Sequence, residues 1–295
     1  MDSLDDVRAL QHAAERIETP CGAGTLVWHR WGPRHGPPVL LLHGGSGSWT
    51  HWVRNIQPLA RAGLHVVAPD MPGFGASAVP PDGHDADVLP GWLELGLRTL
   101  VGDAPVQAVG FSFGGLVAGL WAQAFPARVA RLVLVGSPGL SAELLPPLDL
   151  RRWDHLPAGD AREAAHRHNL LTLMLAQPAS ATPLAVALHA ANVERDRLRR
   201  RRLMLTDALL PVLDGLRCPL HGIWGAQDVL YAQRLPLIEL ALSRAPGFAS
   251  LELLPQAGHW VPFEAAEAFD AALARALGLN APLVSGRRPR PAPSA

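Results

Sequence analysis

The run Gln107-Ala108-Val109-Gly110-Phe111-Ser112-Phe113-Gly114-Gly115 constrains this chain more than any other stretch. An apolar segment with the character of a strand stops at a serine boxed by glycines, and a helix-like stretch from Leu116 to Phe125 follows. Gly110 and Gly114 let strand and helix approach closely enough for a sharp turn, which holds the Ser112 hydroxyl out at the edge of a sheet. G-x-S-x-G in that setting makes Ser112 a candidate nucleophile. A serine hydroxyl is a poor nucleophile at neutral pH unless a base takes its proton. The rest of the chain has to supply that base, an acid to orient it, and donors for an oxyanion.

The surrounding pattern suits such a turn. Val39-Leu40-Leu41-Leu42, His65-Val66-Val67-Ala68 and Val129 to Val135 are apolar runs fit for strands buried on both faces. Thr25 to Arg30 reads as an earlier strand after the turn Gly22-Ala23-Gly24. Helices are predicted over Trp49 to Ala62 and Val88 to Val101. Beyond residue 215 the same rhythm returns, with a strand at Leu220 to Trp224, a helix near Tyr231 to Arg244, a strand at Ser250 to Leu254 and a helix from Phe263 to Leu277. Strands and helices in alternation predict an α/β fold, a mainly parallel central sheet with helices on both faces. The rhythm breaks between residues 140 and 215, where Pro-rich joints, an arginine cluster and helical stretches hold no buried strand. The expected organisation is an N-terminal extension (1–15), a core in two parts (16–139 and 216–279), a helical cap (140–215) and a disordered Pro/Arg-rich tail (280–295).

Two later residues complete the chemistry. His259, in Gly258-His259-Trp260, follows the last predicted strand, where a parallel sheet returns it to the edge that presents Ser112. Asp228 lies just past the preceding strand, placed to hold the imidazole tautomer and stabilise the imidazolium. The order serine, aspartate, histidine is that of α/β-hydrolases. In the loop His43-Gly44-Gly45-Ser46-Gly47-Ser48 the glycines leave backbone N–H groups free to point at an anion. Together with Asp-x-Pro-Gly-x-Gly-x-Ser at Asp70 to Ser77, these features resemble the α/β-hydrolase family from Glu18 to Leu277. That resemblance implies an oxyanion hole made of the N–H groups of Phe113 and Gly45, with no cofactor. It also implies that His43 braces its loop; Asp70 reads as a turn former rather than an acid. His166 and His168 read as part of a solvated cap helix rather than as metal ligands, because no third ligand is near in sequence.

Composition narrows the partners. Lys plus Arg and Asp plus Glu both number 26, so no net field draws the chain to nucleic acid or an anionic membrane, and a small neutral or weakly acidic substrate fits better. Cys21 and Cys218 belong to no ligand pattern, the N-terminus is acidic with no apolar run behind it, and no stretch approaches a membrane span. The expectation is a cytoplasmic protein; nothing in the sequence fixes its oligomeric state.

Trp260 after the histidine, and the loop Gly44 to Asn55, are similar to the meta-cleavage product hydrolases, which split carbon–carbon bonds in ring-opened aromatics. That subfamily usually carries Asn where this chain has Phe111 and another where it has His51. Asn192, Arg195 and Arg199, at i, i+3 and i+7, would share one helical face, with Arg195 placed to grip a substrate carboxylate. The alternative is a solvated face in the run Arg195 to Arg202. Trp153, Leu171, Leu173 and Met174 are candidates for an apolar pocket. Candidate substrate contacts are therefore Gly44, Ser46, Phe111, Arg195 and Trp260. The expected function is hydrolysis of a small carboxylic ester through an acyl-enzyme on Ser112. A carbon–carbon hydrolase and a non-catalytic receptor on the same scaffold are the alternatives. A serine rather than an aspartate at 112 argues against dehalogenase and epoxide-hydrolase chemistry.

Overall fold

In the computed structural model, residues 1–140, 147–231, 233–280 and 283 are described. The chain opens with α1 (Leu4–His12), whose capping box between Ser3 and Asp6 satisfies the first turn. Val7 and Leu10 of α1 are buried, so the N-terminal segment is docked on the domain. Strands β1 (Glu15–Cys21), β2 (Gly24–Trp31) and β3 (Pro38–Leu42) follow, then α2 (Ile56–Arg61), β4 (His65–Pro69), α3 (Leu89–Val101), β5 (Val106–Phe111), α4 (Phe113–Ala124) and β6 (Val129–Val135). Helices α5 (Asp160–Leu173), α6 (Pro183–Glu194) and α7 (Leu210–Asp214) precede β7 (Leu220–Gly225). The chain then runs through α8 (Leu235–Leu242), β8 (Phe248–Leu254), α9 (Val261–Glu264) and α10 (Ala266–Leu277).

The eight strands form one sheet in the order β1-β2-β4-β3-β5-β6-β7-β8. The β1–β2 and β2–β4 pairs are antiparallel and every other pair is parallel. The strand order reverses between β3 and β5, and at such a switch point the loops leaving the carboxyl ends part and open a crevice. The loops after β3 and β5, which carry His43 to Ser48 and Ser112, therefore stand side by side. Period-two alternation splits the parallel strands between two cores. Leu40, Leu42, Leu132 and Leu134 join Leu93, Leu97 and Trp121 on one face. Val39, Leu41, Val133 and Val135 join Ile56, Leu59, Phe269 and Leu273 on the other.

Three elements differ from the sequence reading. β1 is a charged edge strand, with Glu15, Arg16 and Glu18 facing water, so it lacks the apolar run that marks a central strand. Trp49 to Ala62 is a 3₁₀ turn (Trp49–Trp52) followed by α2, because Asp70 Oδ1 takes the Trp49 N–H at 3.0 Å and the Asn55 side chain is drawn into the core. Pro58 sits in the first turn of α2, where its missing N–H breaks no bond. α6 ends at Glu194, so Arg195 and Arg199 do not continue the helical face that their spacing suggested. Between β6 and β7 the described residues hold helices and no strand; α7 lies on α4, with Leu209 and Val212 beside Gly119. Of the 280–295 tail only Leu283 and residue 280 are described, so the expectation of disorder falls on residues outside the described set.

Asn55 and α10 meet in the second core. Asn55 Nδ2 donates to Asp270 Oδ1 at 2.8 Å, while Asn55 Oδ1 and Asp270 Oδ2 are buried without a partner. A proton on Asp270 supplies the O–H that Asn55 Oδ1 can accept, and burial pushes this carboxyl up to about 7. Because the folded pKa lies above the unfolded one, the stability is complete below about pH 4 and is lost as pH rises toward 7. Asp270→Asn should flatten this slope, of order 1.4 kcal/mol per pH unit. Urea denaturation should show the variant gaining on the parent between pH 5 and pH 8; parallel pH profiles for the two proteins contradict the assignment.

Candidate active site

The turn after β5 dictates the site's geometry. Ser112 has φ 50 and ψ −122, a backbone that costs a non-glycine residue of order 1–3 kcal/mol. It is held there by its N–H on Val135 O and by Gly115 N–H on its own carbonyl, each at 2.8 Å. The neighbouring glycines are steric requirements. A Cβ on Gly110 would stand 2.4 Å from Gly114 O, and one on Gly114 would stand 2.4 Å from both Leu42 O and His43 O.

Asp228 follows β7 and His259 follows β8, and the parallel sheet delivers both to the edge that presents Ser112. His259 Nδ1 lies 2.7 Å from Asp228 Oδ2, and His259 Nε2 lies 2.9 Å from Ser112 Oγ. A carboxylate only accepts, so Nδ1 carries the proton and Nε2 is free to accept from the serine hydroxyl. Asp228 is fully buried and its second oxygen takes the Leu230 N–H at 3.0 Å.

The β3 loop is built around two histidines of opposite tautomer. His43 Nε2 accepts the Met71 N–H at 2.9 Å, so its Nδ1 carries the proton and donates to Gly44 O at 2.8 Å. His51 Nδ1 accepts the Gly44 N–H at 3.1 Å, so its own proton is on Nε2. Burial, helped by neighbouring His43, His189 and His259, holds His51 well below the usual histidine range and so neutral. With the Gly44 N–H engaged, the N–H groups of Gly45 and Phe113 donate to no other group of the chain among the described residues. Asp70 holds the loop from the far side, with Oδ1 on Trp49 N–H and Oδ2 on Ala76 N–H.

A cavity of about 570 Å³ opens on these groups. Gly44, Gly45, Ser46, Phe111, Ser112 and His259 line it from the sheet side; Trp153, Leu173, Met174, His189, Arg199 and Arg201 line it from the segment between β6 and β7. Two of the expected substrate contacts lie elsewhere. Arg195 caps the end of α6, exposed and outside the cavity. Trp260 is buried behind the loop, its indole donating to His51 O at 3.0 Å and stacked on Phe263 at 4.2 Å. Leu171 lies outside the cavity as well.

The arginine that does reach the site is Arg201. Its guanidinium pairs with both oxygens of buried Asp196 at 3.0 and 2.8 Å, donates to Ser46 Oγ at 3.2 Å and lies over Phe74 and Phe113. The signal in the sequence was Asp196, the one acid inside the arginine run, which marks a paired arginine rather than a solvated face. His166 departs from the solvated reading too, being buried against Trp153 and His189, while His168 Nε2 meets Asp149 O at 2.7 Å. Among the described residues no three or more His, Cys, Asp or Glu gather as a metal site needs. Nor is any described helix long and apolar enough to cross a membrane.

Comparison with known proteins agrees with this fold. The family model described as alpha/beta hydrolase fold matches residues 37–184. The chain belongs to the α/β-hydrolase fold family, and it is a hydrolase. Among its relatives, a 2-hydroxymuconate semialdehyde hydrolase from a Pseudomonas species is 31% identical over 249 residues, 79% of this chain and 84% of that protein. A 2-hydroxy-6-oxo-6-phenylhexa-2,4-dienoate hydrolase from Burkholderia cepacia is 27% identical over 80% of this chain and 85% of its own. A solved structure of a putative lipase from Acinetobacter baumannii shares the fold, with a TM-score of 0.75 at 19% identity over 94% of this chain and 98% of that one.

The packing behind the turn is testable without any substrate. A Cβ on Gly115 would stand 1.7 Å from Ser137 Oγ, so Gly115→Ala should destabilise the fold by about 1–3 kcal/mol. Removing the obstacle with Ser137→Gly should recover most of that loss in the double variant. Thermal denaturation of the four proteins measures the coupling, and strict additivity contradicts the packing described.

Proposed function

We propose that the protein hydrolyses a carboxylic ester, or a similar acyl bond, of a small molecule through an acyl-enzyme on Ser112. One contact carries this reading: Ser112 Oγ at 2.9 Å from His259 Nε2, with the opposite ring nitrogen on buried Asp228. Ser112 attacks the substrate carbonyl as His259 takes the hydroxyl proton, and Asp228 stabilises the imidazolium. The carbonyl oxygen becomes an anion aimed at the N–H groups of Phe113 and Gly45. Losing one such donor typically costs about 2.7–4 kcal/mol of transition-state stabilisation. His259 then protonates the departing alkoxide, and a water that it activates releases the acid. Every proton is accounted for within the triad, and the reaction needs no cofactor. Gly44 and Ser46 serve as positioning groups, Gly44 through His51 and Ser46 through Arg201. Phe111 supplies an apolar wall. Arg199, whose side chain reaches the cavity, gives an acidic substrate a counter-charge.

Cleavage of a carbon–carbon bond is the second reading, favoured by the relatives, which include a dienoate hydrolase and a semialdehyde hydrolase. Such a bond breaks only if the leaving carbon is protonated, which an ester does not require. The two positions where that subfamily carries amides are here the rings of Phe111 and His51, and the ester reading is preferred on that ground. A receptor that binds without turnover is disfavoured by the complete triad.

The wild-type protein should cleave a short p-nitrophenyl ester faster than it bleaches a yellow ring-fission product. Ser112→Ala should lose at least about a thousandfold in kcat with its melting temperature preserved. Faster bleaching replaces the ester reading with the carbon–carbon one, and undiminished turnover by Ser112→Ala removes the nucleophile assignment.

A further inference from the structure

α6 is clamped across the β3 loop. Asn192 Oδ1 accepts from Ser48 Oγ at 2.7 Å, and its amide donates to Thr50 Oγ1 at 3.0 Å. Residues three apart share a helix face, so His189, one turn before Asn192, is carried over the same loop and lines the cavity with Ser112 and His259. Burial and the neighbouring His166 push His189 down to about 4, and no protein hydrogen bond contributes to that balance. Its ring is therefore neutral, with one nitrogen that donates and one that accepts.

His166 stands behind it, 2% exposed, edge-on to His189 at 5.6 Å and tilted against Trp153 at 5.0 Å. Both ring nitrogens of His166 are buried without a partner, a condition uncommon in folded proteins. Arg162, held by Glu194 at 2.8 Å, lies over Trp153. The same cavity is lined by Trp153, Leu173, Met174 and Val193, with the charged Arg152 and Asp154 flanking Trp153 in sequence. A polar seam of two neutral imidazoles thus leads from the cavity into the interior of the insertion, with hydrogen-bonding capacity that the protein does not use.

We propose that this part of the cavity is a subsite for an aromatic group bearing an uncharged hydroxyl, and that His189 is the residue that selects it. A hydroxyl both donates and accepts, which matches a neutral imidazole; a carboxylate could use only its donor. The flat surfaces of Trp153 and His189, with the thioether of Met174, favour a ring over an alkyl chain. This subsite rests on the hydrolytic reading of the same cavity, and the experiment separates the two.

Two matched substrate pairs are compared by kcat/KM. The 4-nitrophenyl esters of phenylacetic and 4-hydroxyphenylacetic acid put the hydroxyl on the acyl side; phenethyl and 4-hydroxyphenethyl acetate put it on the alcohol side. In one pair the hydroxylated member should be preferred about five- to tenfold. His189→Phe should bring that ratio close to one, and His189→Gln, which keeps a donor and an acceptor, should retain part of it. No preference in either pair, or a ratio unchanged in His189→Phe, overturns the proposal. If none of the four esters is cleaved, the hydrolytic reading is what fails. The subsite is then judged by calorimetric dissociation constants of the corresponding acids and alcohols, where the same ratio must appear in the parent and vanish in His189→Phe.

Discussion

The structure depends on how closely α4 approaches the ends of β3 and β5. Gly110, Gly114 and Gly115 leave no room for a Cβ against Gly114, Leu42, His43 and Ser137. That approach turns the chain through Ser112 at a positive φ and sets the hydroxyl at the sheet's carboxyl edge. The switch in strand order at the same point brings the His43 to Ser48 loop beside it. Because β7 and β8 run parallel to β5, the loops that follow them end at the same edge, and Asp228 and His259 arrive without further device.

Around this edge, buried polar contacts tie the insertion to the sheet. Asp196 joins Arg201 to Ser46, Asn192 joins α6 to Ser48 and Thr50, and Met174 O takes the Trp260 N–H at 2.7 Å. Each spans more than eighty residues of sequence, and each lands on a residue adjacent to the candidate catalytic groups or their loop. Buried bonds of this kind cost more to break than their net contribution suggests, since a lone partner is left unsatisfied. The insertion therefore shapes the cavity and at the same time fixes the loop that would receive the oxyanion. Five histidines of the site region illustrate the division of labour. His43 and His51 are locked in opposite tautomers, half-buried His189 and buried His166 are held toward the neutral form, and only His259 is paired with a carboxylate.

The parallel strands and the order of Ser112, Asp228 and His259 were legible because they rest on short-range signals: apolar runs, boxed glycines and residues placed at strand ends. β1 was not legible, since an edge strand faced by water carries charge instead of an apolar run. The face assigned to Asn192, Arg195 and Arg199 failed because helical spacing was extended past Glu194, where α6 ends. Trp260 was nominated by a family resemblance and Arg195 by helical spacing, yet contact with a cavity is set by loops whose ends are fixed 150 residues away, as between Ser46 and Asp196. Arg201 and His189, and the role of His51 in holding Gly44, became visible only once those long-range contacts were in place.

The central claim is that Ser112 is the activated nucleophile and His259 its base. The most direct measurement is labelling by a fluorophosphonate, followed by mass spectrometry of the digested protein. A single phosphonyl adduct on the peptide containing Ser112, formed quickly in the parent and at least about a hundredfold more slowly in His259→Ala, is the predicted result. An adduct on another residue, or no adduct in a protein that still cleaves esters, would contradict it.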